Sequence, residues 1–359
     1  MKRRIGIGVI GTGFAKKTQI PAFVELNDAR IVSVSSRNAE NAAAVAGEFQ
    51  IPHFSGDWRE TAEHADVDLV CVTTPPDRHL EMTAAAIQAG KHVLCEKPMA
   101  MNAGQAAEMN RLATNSGKMA LIDHELRFTN GRQEAFNLIR EGRIGKIRHV
   151  KYSFRAAMRG DPEMPWTWWS DIEQGGGALG AIGSHAVDTI LWLTGSEVKE
   201  VTCRLHTHIK QRLRNGRLAE VTSDDEVLLI LKLAGGDHVE DATASVSTSM
   251  VEAGPPRNRV ELFGAGGAIR VEDGGELFCA EIKANEWLPI DIDLGEAPSG
   301  CTVGGWSRGF KALAVQIVET LISGETRIEH AATFNDGLAV QHVLDAARRS
   351  SELRKTVLL

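Results

Sequence analysis

Between residues 5 and 122, short apolar runs alternate with helical patterns. IGIGVIG leads into FAKKTQIPAF, IVSVSS precedes NAENAAAVAGEF, DLVCVTT precedes HLEMTAAAIQAG, HVLCEKP precedes AGQAAEMNRLATNSG, and MALID closes the series. Such alternation predicts βαβ units around a parallel sheet. Runs like VDLVCV have no polar alternation, which predicts strands covered on both faces. After residue 123 the period shortens to two. IRHVKYSFRA, VKEVTCRLHTHI, EVLLILKLAG, DATASVSTSM, NRVELFGAGGAIRVED and GELFCAEIK alternate apolar with polar positions and are broken by Gly-Gly and Asp-Gly. This predicts a largely antiparallel open sheet. The helical segment NGRQEAFNLIREG precedes these strands; GFKALAVQIVETLISG and NDGLAVQHVLDAARRSSEL follow them. The expected fold class is α/β: a Rossmann dinucleotide-binding domain over 1–123, then an α+β domain over 124–359 with a large, open, mostly antiparallel sheet for substrate binding and oligomerisation.

A chain of 359 residues accommodates two domains. Its net charge of −7 provides no basic excess to offset phosphate, so nucleic acid is not an expected partner. No run approaches the ~18 uncharged apolar residues of a membrane span. The basic MKRR start precedes a glycine-broken run too short for a secretion signal. The five cysteines are widely spaced without a CxxC, which points to a reducing, cytoplasmic setting and no metal site. The expected partner is a small molecule.

Gly6-x-Gly8-x-x-Gly11 satisfies the dinucleotide expression literally, but it lies inside the first strand. The turn that should bend around a pyrophosphate is Gly11-Thr12-Gly13-Phe14-Ala15, with Lys16 where a third glycine would stand. Gly11, Gly13, Phe14 and Ala15 are therefore the candidate phosphate cradle. The second strand ends in Ser36-Arg37 with no carboxylate for a ribose 2′-hydroxyl. A hydroxyl beside a guanidinium suits a 2′-phosphate, so NADP is expected over NAD. Lys97 follows an apolar strand directly, at the sheet edge where ligands bind in open α/β folds. Residues 175–188, GGGALGAIGSHAVD, surround His185 with glycine and alanine. As an α-helix over 178–193, this stretch would put Ala178, Ala181 and His185 on one face.

GTGF, TTPPDRH, GKHVLCEKPMA, ELRF, EGRIGKI, GGGALGAIGSHAVDTILWLTG and NDGLAVQHVLDAARRSS occur in that order, and together they resemble the Gfo/Idh/MocA family of oxidoreductases over essentially the whole chain. The resemblance implies NAD(P)-linked interconversion of alcohol and carbonyl on a sugar, anhydrosugar or cyclitol. It implies that Thr74, Pro75 and His79 line the cofactor, that Glu96 and Lys97 stand near the nicotinamide ribose, and that His185 is the catalytic histidine. In this reading Lys97 steadies developing alkoxide charge and His185 exchanges the proton. The chain departs from the family at Ala181, where an aspartate is common one turn before the histidine. Asp188 is the nearest substitute by sequence. Tyr152, Trp168 and His124 are further substrate-side candidates. Trp166, Trp168 and Trp169 suit a sugar-stacking wall, a cofactor contact or a subunit interface. Two rival readings stand beside the enzyme: a catalytically weak NADP-binding regulator, and a glycoside-processing enzyme with tightly bound NAD. The alternating strands 226–283 are expected to join copies into a homodimer or homotetramer.

Overall fold

The computed structural model describes residues 4–359. Its first sheet is parallel and contains β1 (Ile5–Ile10), β2 (Ala29–Ser35), β3 (His53–Ser55), β4 (Leu69–Val72), β5 (His92–Cys95) and β6 (Ala120–Ile122). The spatial order is β3-β2-β1-β4-β5-β6. The winding reverses between β1 and β4, so a crevice opens at their C-terminal ends. Leu69 and Cys71 enter one apolar cluster, while Val70 and Val72 enter the cluster on the opposite face. That two-sided burial explains why the strand carries no polar residue.

The two glycines inside β1 serve packing. A Cβ at Gly6 would overlap the Asp66 carbonyl oxygen, and one at Gly8 would lie 2.9 Å from Thr61 Cγ2. Residues 58–68 can therefore lie close against the strand.

The compact units do not follow a single cut near residue 123. One unit takes the described residues through Thr129 together with Gly295–Leu338, and the other is Asn130–Leu294 with Ala339–Leu359. The return of 295–338 has a packing cause. Helix Gly305–Ser323 sends Phe310, Leu313 and Ile317 into the cluster that holds Ile7, with Phe310 edge-on to Phe23 at 5.6 Å between ring centres. Its Gly309 passes so close to the Glu125 carbonyl that no side chain fits. Two motifs distant in sequence also meet here: Arg127 of ELRF pairs with Asp336 of NDG at 3.2 Å.

The second unit carries a nine-stranded sheet in the order β16-β15-β14-β13-β7-β12-β11-β8-β17. In chain order its strands are β7 (Ile147–Arg155), β8 (Val198–His206), β11 (Glu226–Leu233), β12 (Val239–Ser249), β13 (Arg257–Gly264), β14 (Gly267–Val271), β15 (Leu277–Glu281), β16 (Leu288–Ile290) and β17 (Val357–Leu358), with a separate hairpin of β9 (Gln211–Arg214) and β10 (Arg217–Glu220). The sheet is antiparallel apart from the β7–β12 pair. Along β11, Val227, Leu229 and Leu231 are buried, whereas Leu228 and Ile230 are 49% and 58% exposed. Among the described residues, no helix is long and apolar enough to cross a membrane.

Two alanine substitutions separate packing from propensity. Gly6→Ala is expected to lower unfolding free energy by about 3 kcal/mol or more, because rigid backbone blocks the new methyl. Gly47→Ala, in helix Ala39–Phe49 with nothing within 4 Å of the added carbon, is expected to raise it by about 0.5–1 kcal/mol. Urea denaturation of both variants measures this; equal effects would contradict the packing described for β1.

Candidate active site

At the C-terminal edge of the parallel sheet, Gly11 bends the chain out of β1 at φ +104°. A side chain there is excluded, since its Cβ would stand 2.6 Å from the Thr73 carbonyl oxygen. The Thr73 hydroxyl bonds back to the carbonyls of Ile10 (3.0 Å) and Gly11 (2.9 Å), tying the ends of β4 and β1 together. Gly13 is the reverse case: it is exposed, and nothing lies within 4 Å of where its Cβ would be. The turn is thus tight at Gly11 and open at Gly13, as close approach of a dinucleotide's phosphates requires. Phe14 is half-buried, while Ala15 is fully buried in the apolar core, so only its main chain can face a ligand. Ser36 and Arg37 lie just beyond β2, half-buried and exposed respectively, ahead of the helix capped by Asn38.

Thr74 and Pro75 are half-buried on the loop after β4. His79 departs from the expectation that it lines the cofactor. It is fully buried, with Nε2 2.9 Å from the Thr74 carbonyl and Nδ1 3.1 Å from that of Pro98. Burial lowers its pKa, which favours the neutral ring. His79 is a strut between the β4 loop and the segment after Lys97.

Lys97 stands half-buried at the end of β5. Its neighbour Glu96 turns inward, only 8% exposed, toward fully buried Asp123 at the end of β6. Gln19 Nε2 donates to both acids, at 3.1 Å to Glu96 Oε1 and 2.7 Å to Asp123 Oδ2. Burial raises the pKa of Glu96, against the pull of the Lys97 ammonium. The Asp123 carboxyl is raised well above its usual range, first by burial and then by the charges of Glu125 and Glu96. His124 is also buried, in the turn after β6. Gln19 carries no motif, and only the fold brings it under these strands.

In the second unit, His185 lies on the buried helix Ser184–Thr194, which is preceded by a π-helical turn, Leu179–Gly183. The continuous α-helix expected over 178–193 is therefore corrected. Ala178 precedes the turn and Ala181 lies inside it, so the stripe with His185 is not one α-helical face. Such widened turns occur frequently at functional sites. The neighbouring glycines have internal causes. A Cβ on Gly176 would sit 2.6 Å from the Trp169 carbonyl oxygen, and one on Gly177 (φ +117°) would sit 2.5 Å from Asp224 Oδ1. Asp224, between β10 and β11, anchors the turn: its Oδ2 accepts from Leu179 N at 2.7 Å, and its carbonyl accepts from Ala178 N at 2.9 Å. Ser223 holds the tryptophan segment through the Trp169 carbonyl at 2.7 Å. The signal in the sequence was a pair of acids, Asp224 and Asp225, opening an apolar strand; both are buried.

Asp188 is buried on the same helix as His185. Trp168 is half-buried and packs on Trp169, with ring centres 4.8 Å apart. Tyr152, expected on the substrate side, is buried. It is 1% exposed, and its hydroxyl donates to Asn258 Oδ1 at 2.7 Å beneath the sheet. Among the described residues, no group of three His, Cys, Asp or Glu side chains has metal-site geometry. A cavity of ~700 Å³ lined by Ile5, Asp68, His92 and Lys118 lies at the N-terminal strand ends, opposite the edge where open α/β sheets bind ligands.

The two halves match two models of one family. Residues 5–124 match the oxidoreductase family with an NAD-binding Rossmann fold, and residues 133–270 match the GFO/IDH/MocA C-terminal domain. An uncharacterized oxidoreductase of Synechocystis sp. is 31% identical over 266 residues, covering 73% of this chain and 70% of that protein. Levoglucosan dehydrogenase of Pseudarthrobacter phenanthrenivorans is 29% identical over 257 residues, covering 65% of this chain and 66% of that one. A solved levoglucosan dehydrogenase in complex with NADH and levoglucosan superposes with a TM-score of 0.88 at 25% identity, covering 99% of each chain. The protein is an oxidoreductase with a dinucleotide-binding Rossmann fold. The chain belongs to the Gfo/Idh/MocA family.

The Asp224 anchor has a pH signature. Burial pushes its carboxyl up to about 6, against the Leu179 amide that favours its charge. Because the folded value exceeds the unfolded one of about 4, the folded chain holds the extra proton between them. Stability from this group falls as pH rises from about 4 to about 6, and is level above. Asp224→Asn removes that loss. Its unfolding free energy relative to the parent is expected to grow by about 2–3 kcal/mol between pH 4 and pH 7. A gap that ignores pH would contradict the burial assigned to this carboxyl.

Proposed function

We propose that this chain transfers hydride between NADP(H) and a hydroxyl-bearing carbon of a sugar, anhydrosugar or cyclitol. The observation that carries the reading is a dinucleotide turn and Lys97 at one strand edge, in a chain whose relatives include a levoglucosan dehydrogenase. When bound, the nicotinamide would supply or accept the hydride. Gly11 and Gly13 leave room for the phosphates, with Thr74 and Pro75 beside them. Lys97 Nζ hydrogen-bonds the substrate oxygen and offsets alkoxide charge. The His185 imidazole gives or takes the proton of that oxygen, a role worth about 10²–10⁴-fold in rate. Ala181 leaves His185 without the aspartate common in the family, and Asp188 on the same helix is the acid proposed to compensate. Trp168 supports a sugar-facing wall.

NADP is preferred in this reading because Ser36 and Arg37 follow β2 where a carboxylate would serve NAD. The exposed Leu228 and Ile230 support association of copies through the open sheet face. The five free cysteines suit a reducing cytoplasm. Ala181 is also what favours the second reading, a weakly catalytic NADP-binding regulator.

Two variants divide these roles. His185→Ala is expected to lower turnover at least ~10²-fold while leaving NADPH affinity within about twofold, because it removes proton transfer only. Unchanged turnover would contradict the role given to His185. Arg37→Ala is expected to weaken NADPH at least ~10-fold and leave NADH unchanged, since one charge-assisted phosphate contact is lost. Fluorescence titration of both nucleotides measures this, and equal weakening would contradict the 2′-phosphate assignment.

A further inference from the structure

The acids under Lys97 are placed in a way that nucleotide binding alone does not explain. Glu96 and Asp123 lie at the ends of adjacent strands, β5 and β6, and both are buried. Both also accept from the same Gln19 amide nitrogen. Two buried carboxylates held this close on one neutral donor repel strongly if both ionise, so the pair holds one proton and carries a single negative charge. The charges facing the pair account for its balance. Lys97 supplies positive charge from the end of β5, and Glu125 adds negative charge from the turn after β6. The Cys71 and Cys95 thiols of β4 and β5 are held neutral by burial and by these same acids. Gln19 is neutral. A buried pair with one proton and one charge is poised to answer a cation arriving at that edge.

We infer that Glu96 and Asp123 share one proton that is released when the oxidised, cationic nicotinamide nucleotide binds and retained when the reduced, neutral one binds. This rests on the reading that the nucleotide occupies this strand edge. The exchange balances without electron transfer: the singly charged pair and the oxidised nucleotide become the doubly charged pair with nucleotide bound, and one proton enters the solvent. Affinity for the oxidised form then rises with pH by up to ~10-fold per unit while the pair still holds its proton. Affinity for the reduced form stays level. Asp123 is a positioning residue here, acting through Glu96.

Calorimetric titration with NADP⁺ and with NADPH, in two buffers of different ionisation enthalpy near pH 7, counts the protons directly. The same comparison with NAD⁺ and NADH follows. The 2′-phosphate is common to NADP⁺ and NADPH, so its own titration cancels in their difference. The expected result is close to one more proton released with the oxidised form, and loss of that difference in Asp123→Asn. Equal proton counts for the two forms, or a difference that survives in Asp123→Asn, would overturn the inference while leaving the cofactor site intact. Failure of every nucleotide to bind would overturn the cofactor site, and the inference with it. If Asp123→Asn folds poorly, infrared spectra of the parent protein decide the point. The protonated-carboxyl band should disappear with the oxidised nucleotide and persist with the reduced one; a band unchanged by either overturns the inference.

Discussion

The contact between the ends of β1 and β4 is the constraint on which the first unit depends. Thr73 bonds the carbonyls of Ile10 and Gly11, and that approach leaves no room for a side chain at Gly11. The bend at Gly11 then frees Gly13 to stand open at the switch point of the sheet. Ser36 and Arg37 after β2, Thr74 after β4 and Lys97 after β5 all follow strand ends at that same edge of the sheet. His79, buried beneath, joins two of those loops through main-chain carbonyls.

The second unit solves a related problem with an acid. Residues 175–185 are buried at every position, so the helix start needs an internal partner for its amides. Asp224 supplies it, and Gly177 gives way to the carboxylate. The bare glycine stretch around His185 is thus shaped first by the protein's own Trp169 carbonyl and Asp224. Any space for a ligand comes after that packing.

The sequence made the fold class and the strand edge legible because both rest on local pattern. Continuous apolar runs gave the parallel strands, and period-two runs gave the antiparallel ones. Strands β3, β16 and β17 went unseen, at three, three and two residues, too short to show a period. The hairpin of β9 and β10 exposes most of both strands, so hydrophobicity did not mark it. The return of 295–338 to the first unit was invisible because it depends on how Phe310 and Gly309 meet Phe23 and Glu125, far away in the chain. The π-helical turn escaped for the same reason, as did the partners of Tyr152 and His79. Gln19 and Asp224 have no motif, and their roles arise only when the strands bring other residues to them.

The proposed reaction is hydride transfer to a sugar-like carbon. The most direct measurement supplies NADPH deuterated at nicotinamide C4 with a panel of keto- and aldo-sugars, anhydrosugar ketones and inosones, and weighs the products. The expected result is one product alcohol heavier by a single deuterium, formed in step with NADP⁺. A protein that binds NADPH yet leaves it unoxidised across the panel, with no deuterium in any product, would contradict it.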